Sequence, residues 1–348
     1  MSTQRPAQPS IANQTSATFS ATSRVVAFGE ILWDLLPTGK KLGGAPVNFL
    51  YHAQTLGADV RPLTRIGSDA LGDEIRERLD ALVLSPQFLQ ISPDAPTGTV
   101  AVSLDAAGTP TYRIVENVAW DEIAVDAETA DALVRFLTEE NAASAFYFGS
   151  LALRSETNKR SLTQILERLP RSVLRVCDLN LRAPFYSRAV VESTLNAADV
   201  FKLNDAEAVE LDALFADLEA PTLGRFADDA GSLTAPDSPE VAAALADWAA
   251  RWRRRFNLRT LILTCGGAGA WIFDETGSAF ASAAPVERIA DTVGAGDSFA
   301  AVCVVGLLSG RSVAEIVAAA SRRASFVCSQ EGGTPTIPPE AADPFAAV

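Results

Sequence analysis

A chain of 348 residues with 48% hydrophobic and 21% charged side chains has a globular composition and the length for one large α/β domain or two ordinary ones. Its formal net charge of -14 repels DNA, RNA and anionic lipid, so nucleic-acid and membrane partners are not expected, and an anionic small substrate needs a local positive site. Cys177, Cys265, Cys303 and Cys328 form no C-x-x-C pair and the single histidine is His52, which argues against zinc and for buried thiols in a reducing, cytoplasmic setting.

Residues 1–22 are rich in Ser, Thr, Ala, Gln and Pro and contain no acid. They read as a disordered tail, although the same composition suits an organellar transit peptide. Apolar strand-like runs follow at 24–29, 145–149, 173–178, 198–203 and 260–264, each ending at a polar residue or glycine and each followed by a helical stretch. That rhythm predicts a largely parallel sheet covered by helices on both faces, with ligands beyond the carboxyl ends of the strands. Residues 97–105 and 111–115 flank Ala106-Ala-Gly-Thr-Pro110 and read as an antiparallel hairpin, a candidate lid. Residues 215–238, with Pro, Gly, Asp and Ser interspersed, read as a loop insertion. Ser238-Pro239-Glu240 then opens a helix with a hydroxyl cap, a first-turn proline and an acid. The run Arg251-Trp-Arg-Arg-Arg255 closes that helix, either as an anion patch or as a solvated end whose cations suit the helix dipole.

The stretch 291–299, DTVGAGDSF, leads into an apolar run that reads as a buried helix. Gly294, Ala295 and Gly296 are expected just before its N-terminus, where unpaired amides and the macrodipole bind negative charge without a lysine. No Walker A sequence occurs, and Phe299 stands where a dinucleotide fingerprint needs its third glycine. Asp297 admits two roles. It can stabilise the first turn, or it can serve as general base for a hydroxyl attacking a phosphoryl group held by residues 294–296.

Residues 291–297 match the D-T-x-G-A-G-D signature of the ribokinase/phosphofructokinase-B family of carbohydrate kinases. Gly43-Gly44-Ala45-Pro46-Val47-Asn48, followed by Gly57 and Gly67, resembles that family's N-terminal glycine signature. The likeness spans roughly residues 24–340 and is nearest to bacterial fructokinases, which residues 29–37, 48–52 and 178–182 resemble. It implies a ribokinase-like three-layer α/β/α sandwich with a central, mainly parallel sheet and a small β lid. The whole would be one domain over 23–340, with lid segments near 32–45 and 97–120.

The resemblance also implies roles. Asp34 would hold two sugar hydroxyls, Gly43 and Gly44 would hinge the lid and admit the sugar to the backbone, and Asn48 would bind a sugar hydroxyl unless it caps a helix. Asp297 would be the base and Arg182 would approach the transferred phosphate, unless it pairs with an acid such as Asp178. Asn204 and Glu207 would organise magnesium, mostly through water, and can form a capping box as well. Asn204, Thr264, Gly266 and Gly269 would contact ATP. Residues 324–328 would lie on the adenine side, and Gly332-Gly333 would border a monovalent cation such as K+. His52 is expected in the core or pocket wall. The implied activity is ATP-dependent phosphorylation of fructose on its 6-hydroxyl, with 2-keto-3-deoxygluconate, ribose or a nucleoside as alternative substrates, and a silent sugar-sensing relative as a remoter reading. A homodimer through the lid is a further expectation.

Overall fold

The computed structural model describes residues 23–36, 39–104, 110–139, 142–217 and 222–346. The tail expected over 1–22 and most of the turn expected over 106–110 lie outside the described residues. The chain begins with β1 (Arg24–Phe28), β2 (Leu32–Leu36), β3 (Gly39–Gly43), α1 (Ala45–Thr55), β4 (Asp59–Gly67), α2 (Ala70–Ala81) and β5 (Leu89–Ser92). It continues through β6 (Gly98–Leu104), β7 (Pro110–Ile114), α3 (Ala127–Thr138), β8 (Ser144–Gly149), α4 (Glu156–Arg168), β9 (Leu174–Asp178) and α5 (Arg188–Ala197). Then come β10 (Val200–Asn204), α6 (Asp205–Leu214), α7 (Pro239–Phe256), β11 (Thr260–Thr264), β12 (Ala270–Asp274) and β13 (Gly277–Ala281). The chain closes with α8 (Ala295–Leu308), α9 (Val313–Cys328) and α10 (Pro339–Ala342).

Side chains alternate across the strands, and both sides are apolar. Val26, Phe28, Phe146, Phe148, Phe201 and Leu203 face one cluster, which α3 to α7 cover. Val25, Ala27, Ala145, Tyr147, Val176 and Val200 face the other, which α1, α2, α8 and α9 cover. Burial on both faces is what makes these strands read as continuous apolar runs. The resulting sheet has the order β13-β12-β11-β10-β9-β8-β1-β4-β5. It is parallel from β5 to β11 and antiparallel through β12 and β13. A second sheet, β3-β2-β6-β7, forms the small β layer, so the three-layer architecture with a lid is present as expected. Its central pair, β2 with β6, is parallel. The expected hairpin is its β6–β7 edge.

Three local expectations need correction or resolution. Helix α8 begins at Ala295 with Gly294 as its N-cap, so Ala295 and Gly296 belong to the first turn and do not precede it. Gly294 has φ +78°, a left-handed conformation that glycine adopts without a Cβ penalty. Ser238 occupies the N-cap of α7, but its hydroxyl makes no capping bond. The arginine run closes α7 as a helix end: Arg253 donates to Asp274 O at 2.6 Å and Arg259 O at 3.0 Å, and Arg255 pairs with Glu192. Within 222–238, a short 3-10 turn (Gly224–Phe226) and one bridge, Ala227 with Leu233, pack on α6. There Asp212 accepts from Leu223 N at 2.8 Å and Asp205 from Leu233 N at 3.0 Å.

Candidate active site

Parallel strands all deliver their last residues to one edge of the sheet. Here β8 ends at Gly149, β9 at Asp178, β10 at Asn204 and β11 at Thr264, while Glu30 follows β1. The lid sheet stands over this edge, and between them lies a cleft of about 1290 Å³. The cleft brings together Asp34, Gly43, Gly44 and Asn48 with Arg182, Asn204, Glu207, Thr264, Gly266, Gly269 and residues 294–297. His52, Gly57, Gly67 and the Gly332-Gly333 pair lie outside its lining.

The tip of α8 is fixed by close backbone approach. A Cβ on Gly294 would lie 2.5 Å from Gly333 Cα, so glycine is demanded by both space and φ. Gly333 in turn accepts at its carbonyl from His52 Nε2, 2.9 Å away. A carbonyl only accepts, so His52 carries its proton on Nε2. Burial pushes its pKa down to about 3, and the ring is neutral. Of the first amides, Ala295 N bonds Thr292 O at 3.3 Å, whereas those of Gly294, Gly296 and Asp297 have no backbone acceptor among the described residues. The amides left open at the tip are thus 294, 296 and 297, a shift from the 294–296 set read in the sequence. Past its first turn the helix is buried, from Ser298 through Gly306, so little solvent screens its dipole there.

Asp297 sits on this first turn, half-buried, and its Oδ2 accepts from Asn48 Nδ2 at 2.9 Å. Asn48 is therefore not a cap, because Gly44 holds that position on α1. Desolvation, and then the charge of Asp178, raise the Asp297 pKa to about 6; Asn48, Lys202 and Arg182 oppose the rise. At neutral pH the group is an ionised base whose conjugate acid forms readily, as proton abstraction requires.

Under the α8 tip lies a buried network that the sequence reading did not identify. The β9–β10 register sets Lys202 beside Asp178, and both face the side of the sheet that carries α8. Lys202 Nζ donates to both Asp178 carboxylate oxygens at 2.9 Å, and Tyr147 Oη donates to Oδ2 at 3.1 Å. Asp178 thus takes Lys202 as its partner. Arg182 forms no ion pair among the described residues, donates to Leu181 O at 2.8 Å, and stays exposed in the cleft. The signal for Lys202 was a lone cation between Phe201 and Leu203, inside a strand expected to be buried on both faces.

On the lid side, Asp34 lies in β2 opposite Lys41 of β3. Burial, then the charge of Asp291, lift its pKa to about 6. A Cβ on Gly43 would strike Asp34 Oδ2, and one on Gly44 (φ +113°) would lie 2.5 Å from Glu30 O. Glu30, also unread in the sequence, accepts from Ala45 N at 3.2 Å and so supplies the cap that Gly44 lacks. Burial raises its pKa to about 7.

On the opposite side, Asn204 and Glu207 form the expected capping box at the start of α6. Glu207 Oε2 accepts from Asn204 N at 2.9 Å and Oε1 from Leu181 N at 2.6 Å. Thr264 ends β11, and Gly266 (φ +50°) and Gly269 (φ +127°) shape the turn that follows. Ala324 and Cys328 of α9 complete this wall. Asp291 accepts from Lys41 Nζ at 3.3 Å and Gly332 N at 3.1 Å, linking β3 to the 332–333 turn. Among the described residues no group of three His, Cys, Asp or Glu could hold a metal ion by itself, and no helix is long and apolar enough to cross a membrane.

Comparison with known proteins agrees with this fold. The model of the pfkB family carbohydrate kinases matches residues 37–340. Fructokinase-2 of Solanum lycopersicum is 25% identical over 344 residues, covering 92% of this chain and 94% of its own. Among solved structures, the Xylella fastidiosa fructokinase with bound ATP superposes with a TM-score of 0.68 at 18% identity, covering 89% of this chain and 94% of its own. A double mutant of the Vibrio cholerae O395 fructokinase, in its fructose-, ADP- and potassium-bound form, gives 0.68 at 20% identity, with 91% and 96% covered. At these identities the structural likenesses establish the fold.

Proposed function

Since the chain belongs to the pfkB family of carbohydrate kinases, we propose that it uses ATP to phosphorylate D-fructose on its 6-hydroxyl, giving fructose 6-phosphate and ADP. The observation that carries this reading is the placement of Asp297: a carboxylate ionising near pH 6, on the amide-rich tip of a buried helix, inside a lidded cleft. A fixed negative charge beside a polyphosphate weakens binding unless it does chemistry.

In the proposed step the fructose 6-oxygen attacks the γ-phosphorus as its proton passes to Asp297. The new O–P bond forms while the bond from phosphorus to the β,γ-bridging oxygen breaks, and its electron pair leaves with ADP. The amides of 294, 296 and 297, with Arg182, stabilise the charge on the moving group. Asp34 accepts from sugar hydroxyls, Asn48 binds a hydroxyl while orienting Asp297, and Gly43 and Gly44 let the sugar reach the backbone. The lid excludes water that would otherwise take the phosphoryl group. Thr264, Gly266 and Gly269 border the nucleotide. Glu207 commits one lone pair of each oxygen to a backbone amide, and the remaining pairs, with Asn204, suit an outer shell of water around magnesium. That ion would neutralise phosphate charge. The 332–333 turn beside Asp291 is the place where potassium would act. Residues 23–340 serve as one kinase domain, with 215–238 as an insertion, and the lid is the surface for a homodimer.

The test is ATP consumption over a panel of fructose, ribose, 2-keto-3-deoxygluconate and a nucleoside. The reading requires the highest kcat/KM on fructose, with the product phosphorylated on the 6-oxygen. Preference for another panel member would move the substrate assignment and leave the mechanism standing. No turnover on any would refute the kinase reading.

A further inference from the structure

The α8 tip has no lysine in its own loop, yet a lysine lies beneath it. Lys202 Nζ would be 3.5 Å from a Cβ built on Gly296. Its side chain is 7% exposed, and the residue lines the cleft. The ammonium has three hydrogens. Two go to the Asp178 oxygens at 2.9 Å, and the third has no acceptor among the described residues. Tyr147 Oη donates to Asp178 as well, so the carboxylate is held from two sides and fixes where the ammonium stands.

Electrostatics make this placement informative. A helix N-terminus carries about half a positive charge. An ammonium buried next to it is repelled; the charges of Asp178, Glu207 and Asp297 offset part of that repulsion, and an anion held between tip and ammonium would offset more. Asp178, which also lines the cleft, takes two of the ammonium hydrogens and leaves the third.

We propose that Lys202 is a phosphoryl-binding cation of this site, its free N–H converging with the amides of 294, 296 and 297 on the group in transfer. The proposal rests on the phosphotransfer reading but not on the identity of the sugar. As the O–P bond to the sugar forms and the bond to the ADP oxygen breaks, negative charge spreads over the equatorial oxygens, and Lys202 stabilises it. Its proton stays on nitrogen throughout, because Asp297 takes the hydroxyl proton.

Lys202→Met alone would bury an unpaired Asp178 charge and could fail to fold, so the decisive protein is the full chain carrying Asp178→Asn with Lys202→Met. Neutralising both members of a buried pair is commonly tolerated. Two readouts are taken with magnesium present: kcat on the preferred sugar, and affinity for ADP with and without aluminium fluoride. We expect kcat to fall about 100-fold, as for loss of one donor to a developing anion. We also expect the tightening by aluminium fluoride to be lost while affinity for ADP alone is kept. A double variant with wild-type kcat and wild-type aluminium fluoride tightening shows Lys202 to be only the counter-ion of Asp178 and overturns the proposal. An equal loss of affinity for ADP alone shows a distorted nucleotide site and overturns it too. A wild-type chain that phosphorylates no sugar, yet tightens on aluminium fluoride through Lys202, refutes the sugar-kinase reading and supports this one.

Discussion

Replacing Asp297 with asparagine should abolish turnover and stabilise the fold. The carboxyl ionises at about 6 instead of its ordinary 3.8. With a tenfold change in proton affinity equal to about 1.4 kcal/mol, carrying that charge at neutral pH costs the folded state about 3 kcal/mol. Asparagine removes the charge and still offers an oxygen to Asn48 Nδ2. The Asn48 bond is already included in that shift, so asparagine should gain about 3 kcal/mol at neutral pH. The sign follows from linkage. The folded pKa is raised, so wild-type stability falls as pH rises from about 4 to about 6 and is level above that. The gap between variant and wild type should therefore open across that window and vanish below it. Urea denaturation of both proteins at pH values near 4 and 7 measures the gap, and single-turnover kinetics measures the loss, expected to exceed about 100-fold. A variant less stable than wild type at neutral pH would show that the Asp297 charge is favourable where it sits, and a variant with wild-type kcat would remove its role as base.

Other perturbations separate the parts of the site. Gly294→Ala places a methyl group 2.5 Å from Gly333 Cα at φ +78°; it should cost about 2 to 4 kcal/mol and lower kcat, and thermal melting that shows no loss would contradict the assigned tip geometry. Asp34→Ala should raise KM for the sugar about tenfold or more and leave KM for ATP unchanged; an unaltered sugar KM refutes the clamp. The wild-type kcat/KM should decline as pH drops through about 6, where Asp297 and Asp34 both take up protons; a flat profile between about 7 and 5 would argue against both assignments.

The parallel strands β1, β8, β9, β10 and β11 were legible because they are apolar and largely buried, whereas β4 and β5, which carry polar residues at partly exposed positions, went unread; the α8 tip was legible because glycines, acid and apolar run lie together in 291–308. Other features depend on register or on distant chain. Lys202 acquires meaning only once β10 lies beside β9, which brings it opposite Asp178. That pairing also explains why Arg182 is left to the cleft. Glu30 caps a helix that starts at residue 45, and His52 meets a turn 281 positions away. The antiparallel β12–β13 hairpin went unread although Asp274 and Gly277 close it, because its outer strand is short and only partly apolar.

The central claim is that the phosphoryl group travels at the tip of α8 while Asp297 takes the sugar proton. A structure of the chain with fructose, ADP, magnesium and aluminium fluoride tests it directly. The fluoride centre is expected within hydrogen-bond reach of the 294, 296 and 297 amides, with the sugar 6-oxygen between it and the Asp297 carboxylate. A fluoride centre remote from these residues, or a different sugar oxygen against Asp297, would contradict the claim.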